Sequence, residues 1–471
     1  MAHNEQVFTP QYIVDSMLDD IDYCDDNIRK KHIIDNSCGN GNFLIRIIER
    51  YINVCIEDNL SEDEIIDELK TYIHGIEINY SVYEEALSRV HNYMKKRGFK
   101  NYCFDLDIRC GDTLFINDYD NKMDYVVGNP PYCRIHDLND EQRNRVKEFK
   151  FAQGGMTDLY LVFFEISINM LNKYGKLAYI TPNSWMTSKA GTNFRKWIKD
   201  TNKLHAVIQL GHKKIFNEAT TFNNITIIDN KKNSNNIYYK YSVEEEYNMY
   251  RLDKCFINDA FYLGNFIELK QLKEIIENKT KEQKVFVKNG FATLNDKLFI
   301  FNENDDENNI IDNNIIDIYK ASTGKTYKGI YPFDKNGKPL KFTDFNKQVQ
   351  EALIKRARIL KTDITNNIWF IYGRYQGIKD MSKYRIAVNN LINNEENSVK
   401  IKLLKPGDGI FSGFYITFDN DDELLSEYDR IVSLLKSKTF RKYISLLGKY
   451  KNGGYFTFSS KDLQIYLNYN L

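Results

Sequence analysis

Four strand-like segments within the first 130 residues carry a polar residue or a glycine at or next to their carboxyl end, and helix-like stretches separate them. The segments are residues 32–35, 72–78, 107–112 and 123–128. Short β-branched runs bounded by turn residues predict buried strands, and strands that alternate with helices predict parallel βαβ units. Because ligands bind at the carboxyl ends of such strands, we predict an α/β fold with a ligand site at that edge.

The tetrapeptide Asn129-Pro130-Pro131-Tyr132 follows the fourth segment. Two prolines fix φ and remove two N–H donors, so their carbonyl oxygens are held rigidly beside the Asn129 amide. These acceptors suit an exocyclic amino group. Its two hydrogens would go to the Asn129 side-chain oxygen and the Pro130 carbonyl, with the Tyr132 ring against the attached base. The alternative is an ordinary proline turn after a strand.

A glycine turn, Gly39-x-Gly41, connects the first segment to an apolar helix predicted at residues 44–56. Strand, glycine turn and helix open many nucleotide-binding units, because glycines let backbone N–H groups approach a ligand closely. Glu77 ends the second strand, where a carboxylate can hold ribose hydroxyls, and Asp112 ends the third, where it could accept from an adenine amino group. The distance from the turn to Glu77 exceeds the roughly 20 residues of a simple dinucleotide site.

Three further strands are predicted at residues 176–180, 205–210 and 224–229. The last two would close a mixed seven-stranded sheet with a hairpin, and Phe216 lies in the loop between them. An exposed Phe216 would serve as a base-stacking platform, and a buried phenylalanine is the alternative. At the other end of the chain, Thr9-Pro10 predicts a helix with Thr9 as N-cap and Pro10 as its first residue.

The net charge is zero over 471 residues, but the charge is segregated. Residues 1–230 contain 27 Lys and Arg against 34 Asp and Glu, which leaves 38 against 31 in residues 231–471. A polar, Asn- and Lys-rich run at residues 230–236 predicts a linker, so we predict two domains, 1–230 and 231–471. The basic second domain would contact phosphates, and a chance distribution of charge is the alternative.

The composition also limits the class of protein. The sequence has no apolar run near 18 residues and no basic-then-apolar start, so we expect no membrane span and no signal peptide. Its seven cysteines form no CxxC pair. We therefore expect reduced thiols, a cytoplasmic location and no metal site. Because the first motif begins near residue 7, we also expect no nuclease fused ahead of it.

Taken in order, these motifs resemble those of the N6-adenine DNA methyltransferases of the TaqI-like (γ) class. The collinear elements are Thr9-Pro10, the loop 35–43, Glu77, Asp112, residues 129–132, residues 158–160 and the Phe216 loop. The family's usual Asp-Pro-x-Cys-Gly-Ser-Gly loop differs here at Asn36 and Asn40. The tetrapeptide alone also occurs in methyltransferases acting on protein glutamine and on RNA, so the resemblance depends on collinearity over more than 200 residues.

The resemblance implies a Rossmann-like domain that uses S-adenosylmethionine to methylate the N6 amino group of a flipped adenine in double-stranded DNA. It further implies a monomer that acts in a restriction-modification system, with a cognate restriction endonuclease on a separate chain, or as an orphan epigenetic methylase. The residues implied in catalysis are Asn129, Pro130, Pro131, Tyr132 and Phe216. Those implied in cofactor binding are Thr9, Pro10, Asp35, Cys38, Gly39, Gly41, Phe43, Glu77, Ile78, Asp112, Thr113, Asn129, Pro131 and Phe163.

The second domain resembles the family's target-recognition region more loosely, in residues 287–299, 331–338, 369–376 and 453–456. These segments combine basic side chains, aromatic rings and glycine turns on short strands, and imply an α+β domain that contacts DNA. The predicted DNA contacts are Lys297, Arg356, Arg374 and Lys451. For each of them, an ordinary surface charge is the alternative.

Three alternative functions stay open on the sequence. A cytosine-N4 DNA methyltransferase would use the same geometry on another amino group. An RNA or protein-glutamine methyltransferase would share the tetrapeptide but would not need a large basic domain. A sequence-specific DNA-binding protein with an inactive catalytic fold would not bind S-adenosylmethionine.

Overall fold

The computed structural model describes residues 9–99, 105–154, 157–210, 222–278, 283–366 and 368–471. They divide into two compact units, Met1–Leu269 and Lys270–Leu471. The division lies later in the chain than the predicted boundary at residue 230. Residues that follow the predicted linker still add strands to the first unit's sheet, and this accounts for the difference.

A nine-stranded sheet forms the centre of the first unit. Its strands are β1 Ile33–Asp35, β2 Ile73–Glu77, β3 Asp107–Cys110, β4 Met123–Gly128, β5 Leu171–Pro182, β6 Leu204–Gln209, β7 Asn223–Asp229, β8 Asn236–Lys240 and β9 Asn248–Arg251. Their order across the sheet is β3-β2-β1-β4-β5-β7-β6-β8-β9. Strands β1 to β5 pair in parallel, whereas β7 runs antiparallel to both β5 and β6.

The predicted α/β class is confirmed, and all seven predicted strands are present. The sheet is larger than predicted, because β8 pairs in parallel with β6 and β9 pairs antiparallel with β8. The chain runs outward from β1 to β3 and then returns to β4 on the other side of β1. This reversal of strand order is where open α/β sheets bind ligands, outside the carboxyl ends of the strands.

Helices cover the sheet of the first unit. They are α1 Gln11–Asp20, α2 Asn42–Glu57, α3 Glu62–Tyr72, α4 Tyr80–Lys96, α5 Asp140–Val146, α6 Leu159–Met170 and α7 Thr192–Thr201. The predicted N-cap of α1 is wrong by one residue: Pro10 occupies that position, and no side chain among the described residues caps the helix. The Thr9 hydroxyl instead accepts a hydrogen bond from the amide of Asn129. Thr9 therefore belongs to the strand-end site and not to the helix start.

One hydrophobic core joins the helices to the sheet. Helix α1 buries Ile13, Val14, Met17 and Leu18 against α2 and the central strands. Full burial of each such side chain contributes roughly 1.5–3 kcal/mol. This burial holds the N-terminal segment, and with it Thr9, at the edge of the sheet where the site lies. No helix in the described part of the chain is both long and apolar enough to span a membrane.

A short hairpin and a helix follow the nine-stranded sheet. The hairpin pairs β10 Phe256–Ile257 with β11 Ala260–Phe261. Helix α8 spans Phe266–Glu277, and the division between the units falls within it.

The second unit is built from short strands and helices, as the α+β prediction required. Its strands are β12 Phe286–Asn289, β13 Ile315–Lys320, β14 Lys325–Ile330, β15 Arg385–Val388, β16 Leu391–Ile392, β17 Ile401–Leu404, β18 Gly409–Phe411, β19 Phe414–Thr417, β20 Tyr450–Lys451 and β21 Tyr455–Thr457. They form three sheets in the orders β12-β19-β15-β17, β14-β13-β18 and β16-β21-β20. The helices are α9 Asp296–Phe299, α10 Lys347–Ile359, α11 Asp421–Lys436, α12 Lys438–Leu446 and α13 Ser460–Asn470.

Candidate active site

The glycine turn after β1 makes an open backbone surface. Gly39 and Gly41 have φ of +54° and +86°, a region that side chains other than glycine disfavour. A Cβ atom built on Gly39 would meet no atom within 4 Å, so the space beside this backbone is open. The Cys38 N–H donates to the Ile76 carbonyl at 2.9 Å, which ties the turn to β2.

Glu77 is a buried carboxylate held by backbone donors. Its Oε2 accepts from the Gly39 N–H at 3.0 Å, and its Oε1 accepts from the Asn79 N–H at 2.8 Å. A carboxylate offers about four acceptor positions, so these bonds orient Glu77 and leave it capacity to accept from two hydroxyls. Ile78 follows it with 57% of its surface exposed, an apolar platform beside a polar anchor.

Asp112 is anchored from two directions. Its Oδ1 accepts from the Leu114 N–H at 3.0 Å, and its Oδ2 accepts from the Gln142 side-chain amide at 2.7 Å. The Thr113 hydroxyl donates to the Asn36 carbonyl at 2.6 Å. Gln142 is not among the site residues predicted from the sequence. Its pairing with Asn139 in a helix-capping box is visible in the sequence, but its contact with Asp112, 30 residues earlier, is not.

Asp35 lies where β1 and β4 come together. Its Oδ1 accepts from the Ser37 N–H at 3.2 Å, whereas Oδ2 is buried and has no hydrogen-bond partner among the described residues. Burial raises the pKa of the Asp35 carboxyl to about 8, and the nearby charge of Glu77 adds to the rise. A Cβ atom on Gly128 would lie 2.7 Å from Asp35 Oδ1, so this strand end requires glycine.

The Asn129 side chain is held on both sides. Its Nδ2 donates to the Thr9 hydroxyl at 3.3 Å, and its Oδ1 accepts from the Tyr132 hydroxyl. That hydroxyl also lies 3.1 Å from the Ile180 carbonyl, and with one proton it donates to one oxygen at a time. The Ser37 hydroxyl donates to the Asn129 carbonyl at 3.4 Å. Thr9 and Tyr132 therefore orient the carboxamide, and Ser37 holds the backbone of the same residue.

The remaining predicted site residues differ in their positions. Pro130 is buried and Pro131 is half-buried. Cys38 and Phe43 belong to the hydrophobic core around α2, and Phe163 is buried in α6. These three stabilise the walls of the site, and each exposes at most 5% of its surface. Phe216 lies outside the described residues.

The two departures from the family's glycine loop have structural partners. The Asn36 side-chain amide donates to the Ser167 hydroxyl at 2.9 Å, and its oxygen accepts from the Tyr179 hydroxyl. The Asn40 amide donates to Glu85 at 3.2 Å. Both asparagines thus fix the loop to neighbouring helices and strands, and neither disturbs the glycine turn.

The predicted DNA contacts divide into two kinds. Lys297, Arg374 and Lys451 are exposed. Arg356 is 8% exposed, and its guanidinium donates to the carbonyls of Lys297 and Ile300 at 2.9 and 3.1 Å. It also forms an ion pair with Asp305. The two terminal nitrogens of Arg356 thus serve the interior of the second unit, and its contact with DNA stays a prediction.

The described residues contain no group of three or more His, Cys, Asp or Glu side chains placed to hold a metal ion. The six described cysteines, at positions 24, 38, 55, 110, 133 and 255, are all unpaired.

Comparison with known proteins gives several matches in sequence. Residues 41–216 match the family of Eco57I restriction-modification methylases. The type II methyltransferase M.BstVI of Geobacillus stearothermophilus is 30% identical over 234 residues, which cover 48% of this chain and 42% of that protein. The type II restriction enzyme and methyltransferase RM.Eco57I of Escherichia coli is 23% identical, over 94% of this chain and 54% of that protein. The chain spans about half the length of these curated relatives.

A solved structure shares the fold. The type IIL restriction-modification enzyme MmeI, in complex with DNA, matches with a TM-score of 0.60 over 96% of this chain and 64% of that chain. The sequence identity is 13%, so the match concerns the fold alone.

Proposed function

Because residues 41–216 match the family of Eco57I restriction-modification methylases, we propose that this chain is a site-specific DNA methyltransferase. In this proposal it transfers a methyl group from S-adenosylmethionine to the N6 amino group of an adenine in double-stranded DNA. The observation that carries the proposal is the Asn129 carboxamide, held between Thr9 and Tyr132 at the end of β4. This amide lies beside a strand edge that carries three oriented carboxylates.

The residues at that edge fit S-adenosylmethionine. Glu77, oriented by two backbone N–H groups, would accept from the ribose hydroxyls, with Ile78 against the adenine. Asp112 would accept from the cofactor's amino group. The unpartnered, buried Oδ2 of Asp35 suits a positive charge, and the open side of Gly39 admits a ligand. When bound, S-adenosylmethionine supplies a methyl group on a positively charged sulfur.

The mechanism follows from the acceptors around the target nitrogen. The adenine leaves the base stack, because its amino group is out of reach inside a duplex. Asn129 Oδ1 and the Pro130 carbonyl accept the two amino hydrogens, which frees the nitrogen lone pair from the ring and directs it at the methyl group. Positive charge that develops on the nitrogen is stabilised by the same two oxygens.

Tyr132 has two tasks in this mechanism. An amide oxygen can accept two hydrogen bonds, so the Tyr132 hydroxyl can hold Asn129 in place while the substrate donates to it. The Tyr132 ring would stack on the flipped base, with the predicted Phe216 packing against that base. Holding the Asn129 oxygen in one orientation should raise the rate of transfer more than tighter binding of the base would, because only a correctly placed lone pair reacts.

The exposed cations of the second unit would bind the phosphates of the duplex. We further propose that the protein acts in the cytoplasm as a monomer, with a separate restriction endonuclease of the same specificity as its partner. A cytosine-N4 methyltransferase and an RNA or protein-glutamine methyltransferase remain the rival functions, since each presents an amino or amide group to the same acceptors.

The test is transfer of labelled methyl groups from S-adenosylmethionine to unmethylated genomic DNA, RNA and bulk protein. We expect incorporation into DNA, and Asn129→Ala should lower its rate at least about 100-fold while binding of S-adenosylmethionine persists. Asn53→Ala, on the exposed face of α2, is the matched control and should stay active. Label in RNA or protein but not in DNA, or an active Asn129→Ala variant, would contradict the proposal.

A further inference from the structure

Three segments of the second unit that are far apart in sequence meet on one surface. Ala292 and Arg374 pair through two backbone hydrogen bonds, of 2.8 and 3.0 Å. Behind them the Phe291 ring stacks on Tyr372 at 4.6 Å, and the Phe333 ring lies 5.1 Å from Tyr375. The loops at residues 292–297, 334–338 and 373–376 therefore share one rigid aromatic base. We call them the triple-loop surface.

Leu294 is the unusual residue of the triple-loop surface. Its φ is +61°, a left-handed conformation that the Cβ atom of leucine disfavours, yet 73% of its surface is exposed. Its own loop holds it there, since the Asn295 N–H donates to the Thr293 hydroxyl at 3.3 Å and that hydroxyl bonds Asp296. A strained residue kept in place by its surroundings is a common mark of a functional contact.

The position opposite Leu294 is adapted to it. A Cβ atom built on Gly373 would lie 2.1 Å from Leu294 Cδ1, so only glycine lets the leucine side chain lie across this backbone. The side chain is therefore directed by the strand pair that joins residues 292 and 374. Leu294 thus packs over Gly373 in a left-handed conformation and still exposes 73% of its surface.

The neighbours of Leu294 indicate its partner. Lys297 and Arg374 are exposed, and the Tyr375 ring is 42% exposed. An apolar tip between cations and an aromatic ring matches duplex DNA, where cations meet phosphates while apolar groups enter a groove and contact or separate bases. We propose that Leu294 is an apolar wedge that enters a groove of duplex DNA, with Arg374 and Lys297 on the flanking phosphates. This inference rests on the proposed DNA methyltransferase function.

The experiment compares Leu294 variants of the full chain. Leu294→Asn and Leu294→Gly both tolerate a positive φ, so neither should lower the melting temperature. Each should raise the KM for sheared, unmethylated genomic DNA by at least about 10-fold, because the apolar contact that Leu294 would bury against the DNA is lost. The Kd of S-adenosylmethionine should stay unchanged. Leu294→Met, which keeps an apolar side chain of similar length, should retain KM within about 3-fold.

Ile311→Asn is the matched control, because Ile311 is also apolar and is 93% exposed in the second unit. It should leave the KM for DNA unchanged. If wild type methylates DNA and Leu294→Asn has the same KM, the proposed role of Leu294 is contradicted while the proposed function stands. The same holds if Leu294→Met raises the KM as much as Leu294→Asn does. An equal effect of Ile311→Asn overturns it as well. A wild-type chain that binds S-adenosylmethionine but methylates no DNA overturns both the wedge and the proposed function.

Discussion

Replacing Asp35 with asparagine should make the free protein more stable and a poorer binder of its cofactor. Burial raises the pKa of Asp35 from 3.8 to about 8, so at pH 7 the folded chain holds a proton that the unfolded chain has released. At 1.36 kcal/mol per pH unit, holding that proton costs roughly 4 kcal/mol. Asparagine avoids this cost, but its buried N–H₂ lacks a partner and costs about 1–3 kcal/mol. The net gain at pH 7 should be about 1–3 kcal/mol.

The direction in which the free energy of unfolding changes with pH is a second measurement. Because the folded pKa lies above the unfolded one, the wild-type folded state binds more protons between about pH 4 and pH 8. Its free energy of unfolding should therefore fall as the pH rises through that window and level off above it. The gain from Asp35→Asn should grow with pH over the same range.

The affinity for the cofactor should rise with pH, whereas the free energy of unfolding falls. S-adenosylmethionine carries positive charges on its sulfonium and amino groups, and an ionised Asp35 would pair with one of them. Binding would then release a proton from Asp35, so wild-type affinity should rise with pH up to about 8. Asp35→Asn should bind at least about 10-fold more weakly at pH 8, and this part of the pH dependence should disappear.

Urea unfolding at pH 6, 7 and 8.5 and calorimetric titration with S-adenosylmethionine measure both effects. Asp67→Asn, at an exposed carboxylate on α3, is the control and should change neither quantity. An Asp35→Asn variant that is less stable than wild type at every pH and binds the cofactor normally would refute this account of the buried carboxylate.

Three further outcomes follow from the site. Tyr132→Phe removes the hydroxyl that orients the catalytic carboxamide, so kcat should fall about 10-fold with an unchanged Kd for S-adenosylmethionine, measured by single-turnover transfer and calorimetry. Gln142→Leu removes the hydrogen bond that orients Asp112, so the affinity for S-adenosylmethionine should fall about 3- to 10-fold. The affinity for a cofactor analogue that lacks the adenine amino group should stay unchanged. Exchanging Lys297 and Arg374 for glutamine should reduce the slope of log affinity for duplex DNA against log salt by about 2, in a filter-binding titration.

Much of the first unit is predictable from local sequence. Short apolar runs mark β1, β4 and β5, and glycine and proline mark turns at or near their carboxyl ends, because these features act over a few residues. The topological rule for α/β sheets then brings Asp35, Glu77 and Asn129 to one edge. For these residues, the local sequence pattern and the strand topology predict the same position.

The remaining features depend on contacts that a linear pattern does not carry. Strand β8 follows a polar run that looks like a linker, and only its pairing with β6 makes it part of the sheet. Arg356 looks like any cation on an amphipathic helix, but α10 turns it inward onto the carbonyls of α9 and Ile300. Gln142 reaches Asp112 across 30 residues. Long-range packing decides each of these positions.

In the proposed reaction the Asn129 carboxamide orients the amino group of an adenine in duplex DNA, and S-adenosylmethionine supplies the methyl group. The most direct measurement is mass spectrometry of nucleosides from unmethylated DNA that has been incubated with the purified chain and S-adenosylmethionine. We expect N6-methyladenine, formed by wild type and lost in Asn129→Ala. N4-methylcytosine as the product, or N6-methyladenine formed equally by Asn129→Ala, would contradict it.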